Sequence, residues 1–318
     1  MGRASLGLLG LLGLLLAGCE LLRPPTDIDV PDQVQLHYVL RAGSDTVAVL
    51  IEEAGTRAGA LGVRPVSGAR VRIAGGGVEV ELREAPTGFP ACKTLPNFGF
   101  EQPTTPTAIQ SGCYAAVLPG GVRVGETYTL RAELPGGGLV TGRNTVPRPP
   151  EVVRPAEGGR LRIRRPPHDS WGEIVPFAVT WRIEAPGEQV ALRVLNGTAY
   201  RGGAAAPGVR CDLYVTDEGD RLRGDGVLSG IGGDSIVLRG AMPGCRSGSP
   251  SQAPVRPDSV DAAIHLVVLD TALARYGRLT SQQGIRAEHA SIGITGANGV
   301  FGSTAAASRS IRFVFEAP

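Results

Sequence analysis

The chain has 318 residues with a formal net charge of +2, and its 46 glycines and 25 prolines make up more than a fifth of the residues. A single lysine, Lys93, stands among 32 basic residues, so the sequence has no lysine-rich tract of the kind that binds nucleic acid. Short valine-rich runs separated by turn residues favour many short strands over helices. The sequence therefore predicts an all-β protein that is long enough for two domains.

Residues 1–18 have the layout of a secretory signal, with Arg3 before an apolar run that extends from Leu6 to Ala17. This run is shorter than the roughly 20 residues that a membrane-spanning helix needs. Leu16-Ala17-Gly18-Cys19 resembles the lipobox of bacterial lipoproteins, in which the cysteine receives a diacylglycerol and an acyl chain such as palmitate. We expect Cys19 to be a lipid anchor; the alternative is an ordinary secretory leader with a chance cysteine.

Residues 19–33 are rich in proline and acidic side chains, and this composition predicts a lipidated stem without helix or strand. Glu20 takes the place where some lipoproteins of the inner membrane carry aspartate, so we expect the outer membrane. Either side of that membrane remains open, and the membrane itself is the first expected partner.

The other four cysteines are an even number in a chain expected to be exported, which favours structural disulfides. Pairing by neighbourhood joins Cys92 to Cys113 and Cys211 to Cys245, although four cysteines allow three connectivities. A metal site is the alternative, but the sequence has neither a CxxC motif nor a cluster of cysteine and histidine.

Residues 34–147 predict an immunoglobulin-like or fibronectin-like β-sandwich. The predicted strands are 34–40, 46–54, 69–75, 78–85, 113–119, 126–134 and 139–146. Alternation is clearest where Val78, Val80 and Leu82 are expected to face inward while Glu79 and Glu81 face solvent. The glycines that precede this strand predict a tight hairpin.

Residues 148–159 are rich in proline and predict a stiff linker, so residues 160–318 are expected to form a second β-sandwich in tandem with the first. The predicted strands are 161–165, 177–184, 189–195, 211–216, 235–240, 262–270 and 310–316. Residues 269–283 predict a turn or two of helix. Asn196-Gly197 predicts a hairpin turn, and the glycine-rich stretch near residue 298 predicts another turn with Phe301 in a core.

The residues from Phe89 to Tyr114 form an excursion that is too long for an ordinary hairpin loop. Phe89, Phe98, Phe100 and Tyr114 offer rigid aromatic area, so they are the candidate residues for binding a ligand or a partner. The alternative is that the same rings fold back over the sandwich as a lid.

Four short motifs follow the lipobox in a fixed order. They are Pro65-Val66-Ser67-Gly68-Ala69-Arg70-Val71, Gly125-Glu126-Thr127-Tyr128-Thr129-Leu130, Thr145-Val146-Pro147, and Gly296 to Ser303. In this order the chain resembles a family of uncharacterised lipoproteins encoded beside TonB-dependent receptors. The resemblance implies two β-sandwich domains tethered to the outer membrane and a partnership with such a receptor in nutrient uptake. It implies no established activity, because none is settled for the family.

Catalytic motifs such as HExxH, GxSxG and the phosphate-binding loop do not occur in the sequence. The histidines, His37, His168, His265 and His289, are scattered along the chain. We therefore predict no enzyme activity, no cofactor and no metal. The leading hypothesis is a lipid-anchored envelope protein that assists a TonB-dependent receptor. The alternative is a surface adhesin or carbohydrate-binding module, which predicts a row of exposed aromatic side chains.

Overall fold

A computed structural model describes most of the chain from residue 33 onward. The described residues are 33–57, 60–86, 89, 92, 112–164, 172–184, 189–206, 209–217, 227–231, 233–247, 257–281 and 291–316. They form 20 strands and one helix, which confirms the prediction of an all-β protein. No helix among these residues has the length and apolar character needed to cross a membrane.

The first eight strands form two facing layers. They are β1 (Gln33–Arg41), β2 (Thr46–Arg57), β3 (Ala60–Pro65), β4 (Arg70–Gly75), β5 (Val78–Glu84), β6 (Cys113–Val117), β7 (Thr127–Glu133) and β8 (Leu139–Thr145). Strand β2 lies between β1 and β6 in one layer, and β4, β7 and β8 are successive antiparallel neighbours in the other. Strand β5 pairs with β4 and, at its end, with β6, so it joins the layers. All seven strands predicted for this region are present; β3 was not predicted.

The hairpin between β4 and β5 follows the predicted pattern. Gly76 and Gly77 have φ angles of 60° and 82°, which only glycine adopts without strain. Beyond the turn, Leu82 is buried while Glu79 and Glu81 are exposed, as alternation predicted. The buried side of this hairpin faces the core between the two layers. That first core contains Leu36, Tyr38, Leu40, Val49, Ile51, Val71, Ile73, Tyr114, Tyr128, Leu130 and Phe301.

The remaining elements begin inside the segment predicted as a linker. They are β9 (Glu151–Arg154), β10 (Gly159–Arg164), β11 (Gly172–Arg182), β12 (Gln189–Arg201), β13 (Ala204–Ala205), β14 (Val209–Asp217), β15 (Val227–Ile231), β16 (Ser235–Ser247), β17 (Ser259–Leu269), α1 (Thr271–Ser281), β18 (Ser291–Ile292), β19 (Ile294–Thr295) and β20 (Asn298–Phe315). Strand β9 pairs with β11, so part of the expected linker is built into the second sheet.

The later strands form a second sheet, and a second hydrophobic core packs against it. Neighbouring strands in this sheet follow the order β12, β17, β20, β10, β11, β16 and β14. The core contains Ile163, Ile174, Val179, Trp181, Leu192, Leu238, Ile264, Leu266, Ile311 and Phe313. Burial of large apolar side chains is the main stabilising contribution in each core.

Strand β20 belongs to both halves of the molecule. Its first residues, Asn298 to Thr304, pair in parallel with β1 of the first half. From Thr304 to Val314 it pairs with β17, and its last residues also pair with β10. Two independent sandwiches in tandem are therefore not what the structure shows, because a single strand of 18 residues completes both sheets.

Two predicted turns are strand segments in the structure. Asn196 and Gly197 lie within β12, where the register against β17 shifts in a bulge rather than reversing. Asn298 and Gly299 begin β20, so the Asn-Gly turn was wrong, and the chain bends just before it at Gly296 and Ala297. The burial of Phe301 was predicted correctly: its ring stacks on Tyr38 with the ring centroids 4.8 Å apart.

Helix α1 packs across the junction between the halves and is longer than the one or two turns predicted. It packs mainly against β20, and its apolar residues share a cluster with side chains on the face of β1 and β2 that points away from the first core. We call the resulting group the junction cluster. It contains Val39, Ala48, Leu50, Cys92, Cys113, Ala191, Val267, Leu269, Leu273, Ala274, Ile292 and Val300. Arg278 in the last turn complements the negative end of the helix dipole.

Candidate functional site

The predicted lipid anchor and half of the predicted aromatic surface lie outside the described residues. Cys19 and the stem precede the first described residue, and Phe98 and Phe100 fall between residues 92 and 112. Their predicted roles stay predictions.

The two disulfides pair as neighbours, as the sequence favoured. Cys92 is bonded to Cys113, and both are buried in the junction cluster. Cys211 is bonded to Cys245 directly across β14 and β16, with their Cα atoms 4.0 Å apart. Each bond closes a loop within one half of the chain, so both have structural roles.

Tyr114 and Phe89 are packed against the protein. Tyr114 is only 1% exposed; its hydroxyl donates to the Val66 carbonyl at 2.7 Å and accepts from the Ala69 amide at 2.9 Å. Burial raises the pKa of this tyrosine. Phe89 is partly buried against the junction cluster. Neither ring belongs to a broad exposed surface, so the packing alternative describes these two residues better than ligand binding.

A buried polar cluster, formed by Asn144, Asp270 and Ser303, joins β8, the start of α1 and β20. Asp270 caps the helix by accepting from the Leu273 amide at 2.6 Å. Asn144 donates from Nδ2 to the Asp270 carboxyl group and to the Phe301 carbonyl. The Ser303 hydroxyl lies 2.5 Å from Asn144 Oδ1 and 2.8 Å from Asp270 Oδ2. Nothing in the sequence pointed to this cluster as a group.

The number of protons in this cluster favours a neutral Asp270. The Ser303 hydroxyl has one hydrogen but faces acceptor oxygens on both Asn144 and Asp270. With Asp270 protonated, its Oδ2–H donates to Ser303 and the serine donates to Asn144. Burial raises the pKa of Asp270, while the Leu273 amide and the two side chains oppose that rise. The cluster therefore joins β8, the start of α1 and β20 through buried hydrogen bonds.

Histidines in the described part of the chain occupy two separate places. His37 packs edge-on against Tyr276 with centroids 6.0 Å apart, and burial lowers its pKa. His265 Nδ1 lies 2.8 Å from Ser308 Oγ across β17 and β20; its pKa is lowered by burial and then by Arg193. This contact joins two directly opposed residues of adjacent strands.

Metal binding finds no support in the part of the chain that the structure describes. Within it, no three side chains of histidine, cysteine, aspartate or glutamate come together as a metal site. On the second sheet, Asp261 forms an ion pair instead: Arg312 donates to its two carboxylate oxygens at 2.6 and 3.2 Å. The Arg312 guanidinium also lies 4.6 Å from the ring centroid of Tyr200. This pair lowers the pKa of Asp261.

An open groove of about 650 Å³ lies on the outer side of β7, β8 and β19. We call it the threonine–arginine groove. Its polar side chains are Thr129, Arg131, Thr141, Arg143 and Thr295. Strand β19 forms its far wall by pairing Ile294 with Gly142 and Thr295 with Thr141. The groove thus exists only because residues near the carboxyl terminus return to the first half of the molecule.

Comparisons with known proteins yield no family. No family model matches the chain, and no curated protein sequence matches it. Among solved structures, the CupB6 tip adhesin from Pseudomonas aeruginosa is 11% identical, covers 91% of this chain and 100% of its own, and has a TM-score of 0.22. The N-terminal domain of PorA is 10% identical over 52% of this chain and 96% of its own, with a TM-score of 0.20.

The BSP domain of a biofilm associated protein is also similar. It is 6% identical, covers 87% of this chain and 58% of its own, and has a TM-score of 0.16. Likenesses as slight as these three carry no argument about what this chain binds.

Proposed function

We propose that this chain is a lipid-anchored, non-enzymatic binding protein of the outer membrane that acts beside a TonB-dependent receptor in nutrient uptake. The observation that carries the proposal is Leu16-Ala17-Gly18-Cys19 after an apolar run. Two or more acyl chains on Cys19 make a stable anchor, because each buried methylene contributes about 0.8 kcal/mol.

The motifs behind the family resemblance build the scaffold. Val66 and Ala69 bind the hydroxyl of buried Tyr114, and the Tyr128 hydroxyl accepts from the Arg123 amide at 2.9 Å. The stretch from Gly296 to Ser303 starts β20. The residues on which the resemblance rests are therefore framework residues, and specificity belongs to the surfaces that the framework presents.

The test is a mild-detergent pull-down of the tagged protein from its native envelope, followed by identification of the co-purifying proteins. The matched controls are Cys19→Ala and a chain whose leader and Cys19 are replaced by an ordinary cleavable leader. We expect a TonB-dependent receptor with the lipidated protein and much less with either control. A lipidated protein that recovers no receptor contradicts the accessory role, and a Cys19→Ala protein that keeps normal acylation contradicts the anchor.

A saccharide-binding surface protein is the second candidate, and the threonine–arginine groove is the observation that favours it. A row of aromatic rings was the predicted mark of this function. In the described residues, the large hydrophobic side chains that stand exposed are valines and leucines only: Val117, Val124, Leu139, Val153, Leu195 and Val237. A saccharide would thus be bound by polar groups rather than by stacking.

A further inference from the structure

We propose that the threonine–arginine groove binds an acidic saccharide, with Arg143 as the principal contact to a carboxylate. This inference goes beyond the accessory role and does not depend on it, because the groove belongs to the folded body whatever anchors the chain. It names a ligand class and a site for the second candidate function.

The strand register places arginines in a diagonal row across three strands of the outer face. Arg72 on β4 lies directly opposite Arg131 on β7. Arg143 on β8 lies opposite Thr129, which makes it the diagonal neighbour of Arg131. Like charges that face each other across a sheet are destabilising, so this arrangement is not what stability alone favours. An anion in the groove would relieve the repulsion.

Two of these three arginines are paired with glutamates, and the third, Arg143, keeps the groove positively charged. Arg72 pairs with Glu81 on the side away from the groove, and Arg131 pairs with Glu133 on its own strand at 3.1 Å. Both pairs are exposed, and such pairs are weak in water. Arg143 is exposed and has no acidic partner among the residues that the structure describes. Its guanidinium is therefore free to take a ligand carboxylate in a two-bond fork.

The shape and chemistry of the groove favour an extended, hydrated ligand. Pockets for drug-like molecules are enclosed, whereas this groove is open, and its threonine and arginine side chains stand among glycine and apolar residues of the same strands. Threonine hydroxyls both donate and accept, as sugar hydroxyls do. Diagonal neighbours on a sheet stand roughly 7 Å apart, so Arg131 and Arg143 suit acidic groups repeated along a chain better than one compact ion.

Binding of trigalacturonate to the full-length lipidated protein in non-ionic detergent tests the proposal, with galactotriose and inorganic phosphate as comparison probes. Titration calorimetry at low ionic strength gives the dissociation constants. We expect trigalacturonate to bind measurably and galactotriose to bind at least tenfold more weakly. Added salt should raise the dissociation constant of trigalacturonate.

Variants separate the site from the fold. Arg143→Gln is expected to weaken trigalacturonate by about 10- to 100-fold, because a hydrogen-bonded ionic contact is lost. Arg143→Lys should fall between it and the unaltered protein, since the charge remains but the fork does not. Arg182→Gln, an exposed arginine on β11, is the matched control and should bind normally. Unchanged circular dichroism shows that each variant folds.

Three results overturn the proposal. They are the absence of trigalacturonate binding, binding that Arg143→Gln leaves unchanged, and binding of phosphate or galactotriose as tight as that of trigalacturonate. Recovery of a receptor in the pull-down has no bearing on these titrations, so the two proposals fail or stand separately.

Discussion

The two halves of β20 differ in how their side chains are covered. From Gly299 to Ala305 every residue is buried, because helix α1 and the first core cover both faces of the strand. From Ala306 to Ser310 exposed residues alternate with half-buried ones, and from Ile311 to Val314 buried residues alternate with half-buried ones, because one face of the strand points to solvent. The same strand thus has two sequence patterns, and the difference shows which half joins the molecule together.

Removing one buried ring from each half gives the largest expected effects. Phe301→Ala and Phe313→Ala should each lower the free energy of unfolding by about 3–5 kcal/mol. Because β20 completes both sheets, we expect one cooperative transition for the whole described body. Both tryptophans, Trp171 and Trp181, lie in the second half of the chain, so their fluorescence reports on the unfolding of that half.

The decisive measurement compares the unfolding midpoint by tryptophan fluorescence with the midpoint by far-ultraviolet circular dichroism. In Phe301→Ala both midpoints should fall together, although the substitution lies in the first core. A fluorescence midpoint that does not move would show that the halves unfold independently, and the shared strand would then couple them little.

Gly299→Ala is the next largest change. Gly299 has a φ of 111°, and a Cβ atom there would collide with the Leu36 carbonyl oxygen. We expect a loss of about 2–4 kcal/mol from backbone strain and crowding together. Ser310→Ala, on the exposed face of the second half, is the control and should change stability by about 0.5 kcal/mol or less. If Gly299→Ala and Ser310→Ala lower the free energy of unfolding equally in a urea titration, the two halves of β20 do not differ in their tolerance of substitution.

Asp270→Ala tests how much the buried polar cluster stabilises the first half of β20 against β8 and α1. The change removes the helix cap and takes one hydrogen-bond partner from each of Asn144 and Ser303, so we expect a loss of about 2–3 kcal/mol near pH 4. The pKa of Asp270 is raised in the folded state, and a carboxyl group of this kind stabilises the fold most below its unfolded pKa. Its contribution should diminish as the pH rises through the folded pKa.

The measurement is the difference in unfolding free energy between the unaltered chain and Asp270→Ala, taken from pH 3.5 to 7.5. Taking the difference removes the titration of the other carboxylates. A difference that grows with pH would mean that Asp270 is held ionised, and the proton count of the cluster would be wrong.

Prediction from sequence succeeded where one face of a strand is exposed. Val80 and Leu82 alternate with glutamates, and the strand predicted at 310–316 lies at the alternating end of β20. It failed in the first half of β20, because burial on both faces removes alternation and Asn298-Gly299 has the composition of a turn.

The sites depend on contacts that no local pattern encodes. Asn144 and Asp270 are 126 residues apart, yet they share a hydrogen bond. The acid before Thr271 at the start of a helical stretch is an N-cap pattern, and it was the one available clue. The groove requires the register of β7 against β8 and the return of β19, which the sequence leaves undetermined.

The smallest effects come from two serines on β20 that differ mainly in burial. Ser303→Ala removes the donor to Asn144 Oδ1 and the acceptor of the Asp270 proton in a buried site, so we expect a loss of about 1–2 kcal/mol. Ser308→Ala removes only the exposed contact with His265 and should change stability by about 0.5 kcal/mol or less.

Both variants remove one hydroxyl group from a serine. The difference between their free energies of unfolding in urea therefore measures the effect of burial and hydrogen bonding around each hydroxyl. If the two losses prove equal, the buried hydroxyl contributes no more than the exposed one, and the packing of Phe301 alone would have to fasten β20 to the first half. If only Ser303→Ala is costly, the first half is held by polar contacts as well as by apolar burial. That outcome would explain why a serine is buried on this strand between Gly302 and Thr304.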